Sequence, residues 1–143
     1  MARKTLVPMD DSPQAEAALA YALEEFPEAA VTAMHVVRLP EGYWSAFAGS
    51  EEELPGYERA HDRARALLES AARTAADGGR DIETVVKRGK PAREIVEYAT
   101  ENGFDQIVMG SHGRHGVDRV LLGSVSESVV RRAPMTVVVV HEQ

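Results

Sequence analysis

Short β-branched segments alternate with helix-patterned ones along the chain, and this alternation constrains the fold more than any other feature. Thr5-Leu6-Val7-Pro8 reads as a strand that breaks at Asp10-Asp11-Ser12-Pro13. Ser12 suits a helix cap and Pro13 the first helical position. Ala15, Ala18, Leu19, Ala22, Leu23 and Phe26 then recur at three and four, one apolar face of a helix that Pro27 stops. Ala30 to Val37 is a strand apolar on both faces, as burial in a parallel sheet requires. Tyr57 to Ala76 is a long helix with a stripe through Ala60, Ala64, Leu67, Leu68, Ala71, Ala72 and Ala75, ended by Asp77-Gly78-Gly79. Ile82 to Val86 is a third strand. Pro91 opens a third helix that buries Ala92, Ile95, Val96 and Ala99 and stops at Asn102-Gly103. Gln106 to Met109 is a fourth strand, and a further helix ends near Arg131-Arg132-Ala133-Pro134. Thr136-Val137-Val138-Val139-Val140 is the last strand. Strands and helices in strict alternation predict an α/β fold with a parallel sheet covered by helices on both faces. Ligands bind such sheets in the crevice at the carboxyl ends of the strands, where the strand order reverses.

Size and charge remove several function classes. At 143 residues and 15.6 kDa, the expectation is one domain over residues 1–143. The net charge of -7, from 23 acids against 16 bases, argues against a nucleic-acid surface. Only Lys4, Lys87 and Lys90 are lysines, a composition that fits a salt-adapted source or a GC-rich genome. No cysteine is present, which excludes disulfides, thiolate metal sites and cysteine nucleophiles. No apolar run reaches the ~20 residues that span a bilayer. The N-terminal apolar stretch meets Pro8 and two aspartates too soon for a secretory signal, so no membrane partner and a cytoplasmic location are expected. Residues 38–56 are irregular and carry Tyr43, Trp44, Phe47 and the run Glu51-Glu52-Glu53. The run reads as a solvated loop or helix start. The aromatics read as pins that hold the loop to the domain or cover a neighbouring subunit.

The chemistry concentrates after the fourth strand. From Met109 to Ser126, glycines stand at 110, 113, 116 and 123, and Ser124-Val125-Ser126 begins the last helix. Glycine lets a ligand approach the backbone, and free amides at a helix start form an anion site. The serines can cap the helix or bond a phosphate. The plain alternative is a glycine loop that turns a corner, with Ser124 as an ordinary cap. Two features favour a site: the loop lies at the carboxyl end of a strand, and Asp10 ends the first strand. Its carboxylate can bind ribose hydroxyls or a metal-bound water. This is not the lysine-containing phosphate loop, since Gly-Lys-Ser/Thr is absent, nor the dinucleotide fingerprint, since no glycine cluster follows the first strand.

Gly110, Gly113, Gly123 and Ser124 fit the spacing Gly-x2-Gly-x9-Gly-Ser/Thr, and here the chain resembles the nucleotide-binding branch of the universal stress proteins. The likeness extends to Val7-Pro8-Met9-Asp10 and Ser12, to His35-Val36-Val37, and to the closing Ala133-Pro134-Met135 with its valines. The resemblance implies a five-stranded parallel sheet of order 3-2-1-4-5. It implies ATP, with Mg²⁺, as the bound ligand of a regulatory stress-response module that has an unknown protein partner. Gly110, Gly113, Gly123 and Ser124 would hold phosphates and ribose, beside Met109. Val125 and Ser126 would add amides or a hydroxyl. Pro8 and Asp10 would lie by the nucleoside, and Val36 or Val37 would meet adenine through backbone groups. Asp11 stands where the family often has glycine, and aspartate tolerates left-handed geometry. Dimers through the last strand are common in the family, and four uninterrupted valines on an edge strand invite such pairing.

The other candidates carry less. Arg114 can reach a phosphate or stand solvated. His112 and His115 have no third ligand in view, so no metal is assigned to them. His35 reads as a satisfied core or crevice residue. Ser124 and Ser126 have no base and acid beside them, so a hydrolase triad is not supported. A slow ATP hydrolase and an interaction module with a vestigial site are the alternative functions. The absence of a residue that would activate water argues against the first, and the intact motif spacing against the second.

Overall fold

The computed structural model describes residues 3–38, 57–111 and 122–141. Their elements follow in the order β1 (Lys4–Pro8), α1 (Pro13–Glu25), β2 (Ala30–Arg38), α2 (Tyr57–Asp77), β3 (Glu83–Gly89), α3 (Pro91–Glu101), β4 (Gln106–Gly110), α4 (Ser124–Arg132) and β5 (Thr136–Val140). All strand pairs are parallel and the sheet order is β3-β2-β1-β4-β5, as the family resemblance implies.

Period-two alternation sends neighbouring side chains to opposite faces, and each face has its own core. Val7, Val31, Ala33 and Val108 pack with Ala15, Ala18, Leu19 and Ala22 of α1 and with Leu68 and Ala71 of α2. Leu6, Met34, Ile107 and Met109 pack with Ile95 and Ala99 of α3 and with Val129 of α4. The helices therefore divide two and two across the sheet. Gln106 and Thr5 are polar and buried in the central strands, and the Gln106 amide donates to the Thr5 hydroxyl at 2.9 Å. That pairing removes the penalty an unmatched buried polar group would carry.

The helix boundaries follow their local chemistry. Ser12 caps α1, its hydroxyl accepting from the Ala15 amide at 3.2 Å, with Pro13 in the first turn. α3 ends at Gly103, whose φ of +67° lets the Phe104 amide return to the Ala99 carbonyl at 2.9 Å. α1 has neither a glycine stop nor a basic residue in its last turn. Arg80 serves instead, its guanidinium donating to the carbonyls of Leu23 at 2.9 Å and Ala29 at 2.8 Å. β3 runs three residues past the predicted Val86 because Lys87, Arg88 and Gly89 keep their register with Val36, Val37 and Arg38. An edge strand tolerates, and benefits from, such charges. Residues 39–56, with the aromatics Tyr43, Trp44 and Phe47, and the centre of the glycine-rich segment, 112–121, lie outside the described residues.

Candidate functional site

β1 and β4 are neighbours, but the helices that follow them go to opposite faces. α1 joins one core and α4 the other. With α1 and α4 on opposite faces, a crevice opens between the two strand ends, the switch point at which open α/β sheets bind ligands.

A cavity of about 520 Å³ occupies this crevice, within the ~300–1,000 Å³ of small-molecule sites. Eight residues anticipated from sequence line it together: Pro8, Asp10, Val36, Met109, Gly110, Gly123, Ser124 and Val125. Met34, Val36, Ile95 and Met109 form its apolar floor. Val37 does not line it. It is half-buried on the opposite face of β2 from Met34 and Val36. Ser126 does not line it either. It is fully buried, and its hydroxyl donates to the Gly123 carbonyl at 3.1 Å. Gly113 and Arg114, with His112 and His115, lie outside the described residues.

The polar groups are arranged by the strand ends. Gly123, not Ser124, is the N-cap of α4, and no side chain caps that helix. The leading amides of Ser124 and Val125 thus start a helix at the cavity wall, where the dipole favours an anion. Asp10 is the only carboxylate in the described lining, and its Oδ1 accepts from the Ser12 amide at 2.9 Å. Arg38 and His35 also line the cavity. Arg38 follows the last apolar residue of its strand, and only its position at a carboxyl end signals a place in the site. The described residues contain no cluster of three or more histidines, aspartates and glutamates. A Mg²⁺ ion here would have Asp10 as its protein ligand, with ligand phosphates and water completing the octahedron, the usual mode for this ion.

Two contacts lie beyond the cavity lining, one of them between residues 30 positions apart. Ser111 is buried, and its Oγ lies 2.6 Å from His141 Nδ1, while its amide donates to the Val140 carbonyl at 2.9 Å. This clasp ties the departure point of the glycine-rich segment to the end of β5. On the other side, Glu94 packs against Gly89. Burial, then the neighbouring Glu97 carboxylate, raises the Glu94 carboxyl above its ordinary value, with Arg93 and Lys87 opposing. The folded state then holds this proton more tightly than the unfolded state. Stability falls as pH rises from the unfolded value through the folded one. Glu94→Gln is expected to be more stable than wild type at pH 7, and the difference should shrink at pH 4. Urea midpoints at the two pH values measure this.

Residues 1–141 match the model of the universal stress protein family. Universal stress protein MJ0531 of Methanocaldococcus jannaschii is 35% identical over 98% of this chain and 82% of its own. MJ0577 of the same organism is 30% identical over 100% of this chain and 97% of its own. The solved structure of MJ0577 superposes with a TM-score of 0.81, covering 100% of this chain and 98% of that one. A universal stress protein solved in complex with cAMP superposes at 0.67 with 26% identity, covering 99% of this chain and 98% of that one. Family model, full-length relatives and fold agree, and the chain belongs to the universal stress protein family.

Proposed function

We propose that the protein binds ATP, with Mg²⁺, in this cavity and acts as a regulatory module of a stress response, with little or no turnover. The observation that carries the reading is the start of α4, which opens onto the cavity without a side-chain cap. Phosphates are the natural partners of such a terminus. The apolar floor suits a purine face, and Asp10 suits ribose hydroxyls or a phosphate-bound Mg²⁺. The solved relative with cAMP is consistent with a nucleotide in this fold. Mass spectrometry of the purified protein should find co-purifying nucleotide, and calorimetry of the stripped protein should show ATP binding. Failure of both would refute the assignment.

The described lining supports the expectation of slow turnover. Phosphoryl transfer needs a positioned nucleophile as well as cradled phosphates. Among the described lining residues, Asp10 and His35 are the side chains that could serve as a base, and both already hold backbone groups, the Ser12 amide at Oδ1 and the Met9 carbonyl at Nδ1. Phosphate release with Mg²⁺-ATP is expected well below the common enzyme scale of ~10 s⁻¹. A rate near that scale, abolished by Asp10→Asn, would make the protein an ATPase instead.

We also propose a homodimer through β5. The two sheet edges differ: β3 carries Glu83, Lys87 and Arg88, whereas β5 presents Val137 to Val140, all half-buried. Charges blunt an edge, and a row of valines does not. Pairing across a two-fold axis would satisfy the outer backbone groups and cover these side chains. Val138→Lys can lay its stem over the apolar surface with its ammonium in water. Light scattering should give a dimer for wild type and a monomer for this variant. An unchanged mass would place the contact elsewhere.

A further inference from the structure

The end of β1 is held by two consecutive residues of β2. The Met9 amide donates to the Met34 carbonyl at 2.7 Å, and the Met9 carbonyl lies 2.7 Å from His35 Nδ1. A carbonyl oxygen only accepts, so the His35 proton sits on Nδ1. That carbonyl belongs to the Met9–Asp10 peptide, so its direction sets where the next residue leaves the strand. Asp10 supplies the lone carboxylate of the described lining, and the Ser12 amide holds its Oδ1. Ser12 in turn caps α1. Met9, Asp10 and His35 all line the cavity.

From this arrangement we infer that His35 is a positioning residue of the nucleotide site. It orients the Met9–Asp10 peptide from the neighbouring strand and so holds the Asp10 carboxylate ready for the ligand. The inference rests on the nucleotide reading for its consequence, but its geometry is independent of any ligand. A site whose charged group is already oriented does not lose affinity to ordering that group on binding.

The test uses the full chain, ATP as the ligand, and variants that separate the donor from the ring. His35→Leu removes the donor, and His35→Asn places an amide N–H where Nδ1 stands. In ligand-free protein, ¹⁵N NMR should show the Nδ1–H tautomer at His35. The Asp10 and Ser12 amide resonances should move in His35→Leu and return in His35→Asn. Calorimetry should find ATP about ten-fold weaker in His35→Leu, the scale of one lost hydrogen bond, and within about two-fold of wild type in His35→Asn. In an Asp10→Asn background, His35→Leu should cost little more, because coupled residues are not additive. Equal affinity of His35→Leu and wild type, additive losses, or an Nε2–H tautomer would overturn the inference. If wild type binds no ATP, the nucleotide reading fails. The ligand-free spectra then decide: unmoved Asp10 and Ser12 resonances overturn the positioning role, and restored ones uphold it.

Discussion

Gly110→Ala is expected to destabilise the fold by about 3 kcal/mol, the upper range for overpacking a filled interior. A β-carbon at this position would lie 2.5 Å from both the carbonyl carbon and oxygen of Gln14, and 2.7 Å from its Cβ. Two of those three atoms are backbone of the first turn of α1, so no rotamer change relieves the clash. Either α1 retreats from the sheet or β4 bends. Both strands at the switch point would feel the shift, since Met109 and Gly110 line the cavity and Asp10 leads into α1. A loss of this size corresponds to a drop of about 10 °C in midpoint for a chain of this length. ATP affinity should fall with it. Thermal denaturation and calorimetry measure the two. A midpoint within about 2 °C of wild type, less than the shift from 1 kcal/mol, would show that α1 adjusts freely.

Ser124→Asp should separate stability from binding in the opposite way. Ser124 is exposed at the first position of α4, beside the uncapped Gly123. A carboxylate in the first turn of a helix stabilises it by about 0.3–1 kcal/mol through the dipole. The same carboxylate would face the phosphates of a bound nucleotide. Two unit charges about 5.5 Å apart at an effective dielectric of ~20 repel by about 3 kcal/mol, about a hundred-fold in affinity. The expected variant is as stable as wild type or slightly more so, and nearly unable to bind ATP. Ser124→Ala should keep most of the affinity, because the helix amides remain. Calorimetry with ATP, alongside thermal melts, reads both effects. Retained affinity in Ser124→Asp would move the phosphates away from this helix.

The contrast between these positions shows why the site was only partly legible. Gly110 was read from the sequence as a residue that lets phosphates approach. The fold shows that its missing side chain makes room for Gln14, which is 96 residues earlier in the sequence. The sequence leaves Ser126 to cap the helix or to offer an amide or hydroxyl to a ligand, and helical spacing carries its hydroxyl inward to the Gly123 carbonyl. The resemblance implies Val36 or Val37 as the backbone contact to adenine, and of the two only Val36 lines the cavity. Arg38 carries no signal in the apolar pattern because it follows the apolar run, whereas His35, which reads as a satisfied core or crevice residue, proves to be a crevice residue with a carbonyl partner.

What the sequence determined by itself were the local facts. The alternation of two periodicities set the order of elements and the parallel sheet, the proline and serine at 12–13 set the start of α1, and Gly103 set the stop of α3. Each depends on residues within a few positions of one another, where backbone sterics and capping act. Only the tertiary structure decided which strand ends meet and which side chains share the crevice. The His35 contact to Met9 spans 26 positions and the Gln106 contact to Thr5 spans 101. Such contacts are set by strand register and by which face each helix covers. Packing of the two cores chooses both, and no local periodicity encodes them.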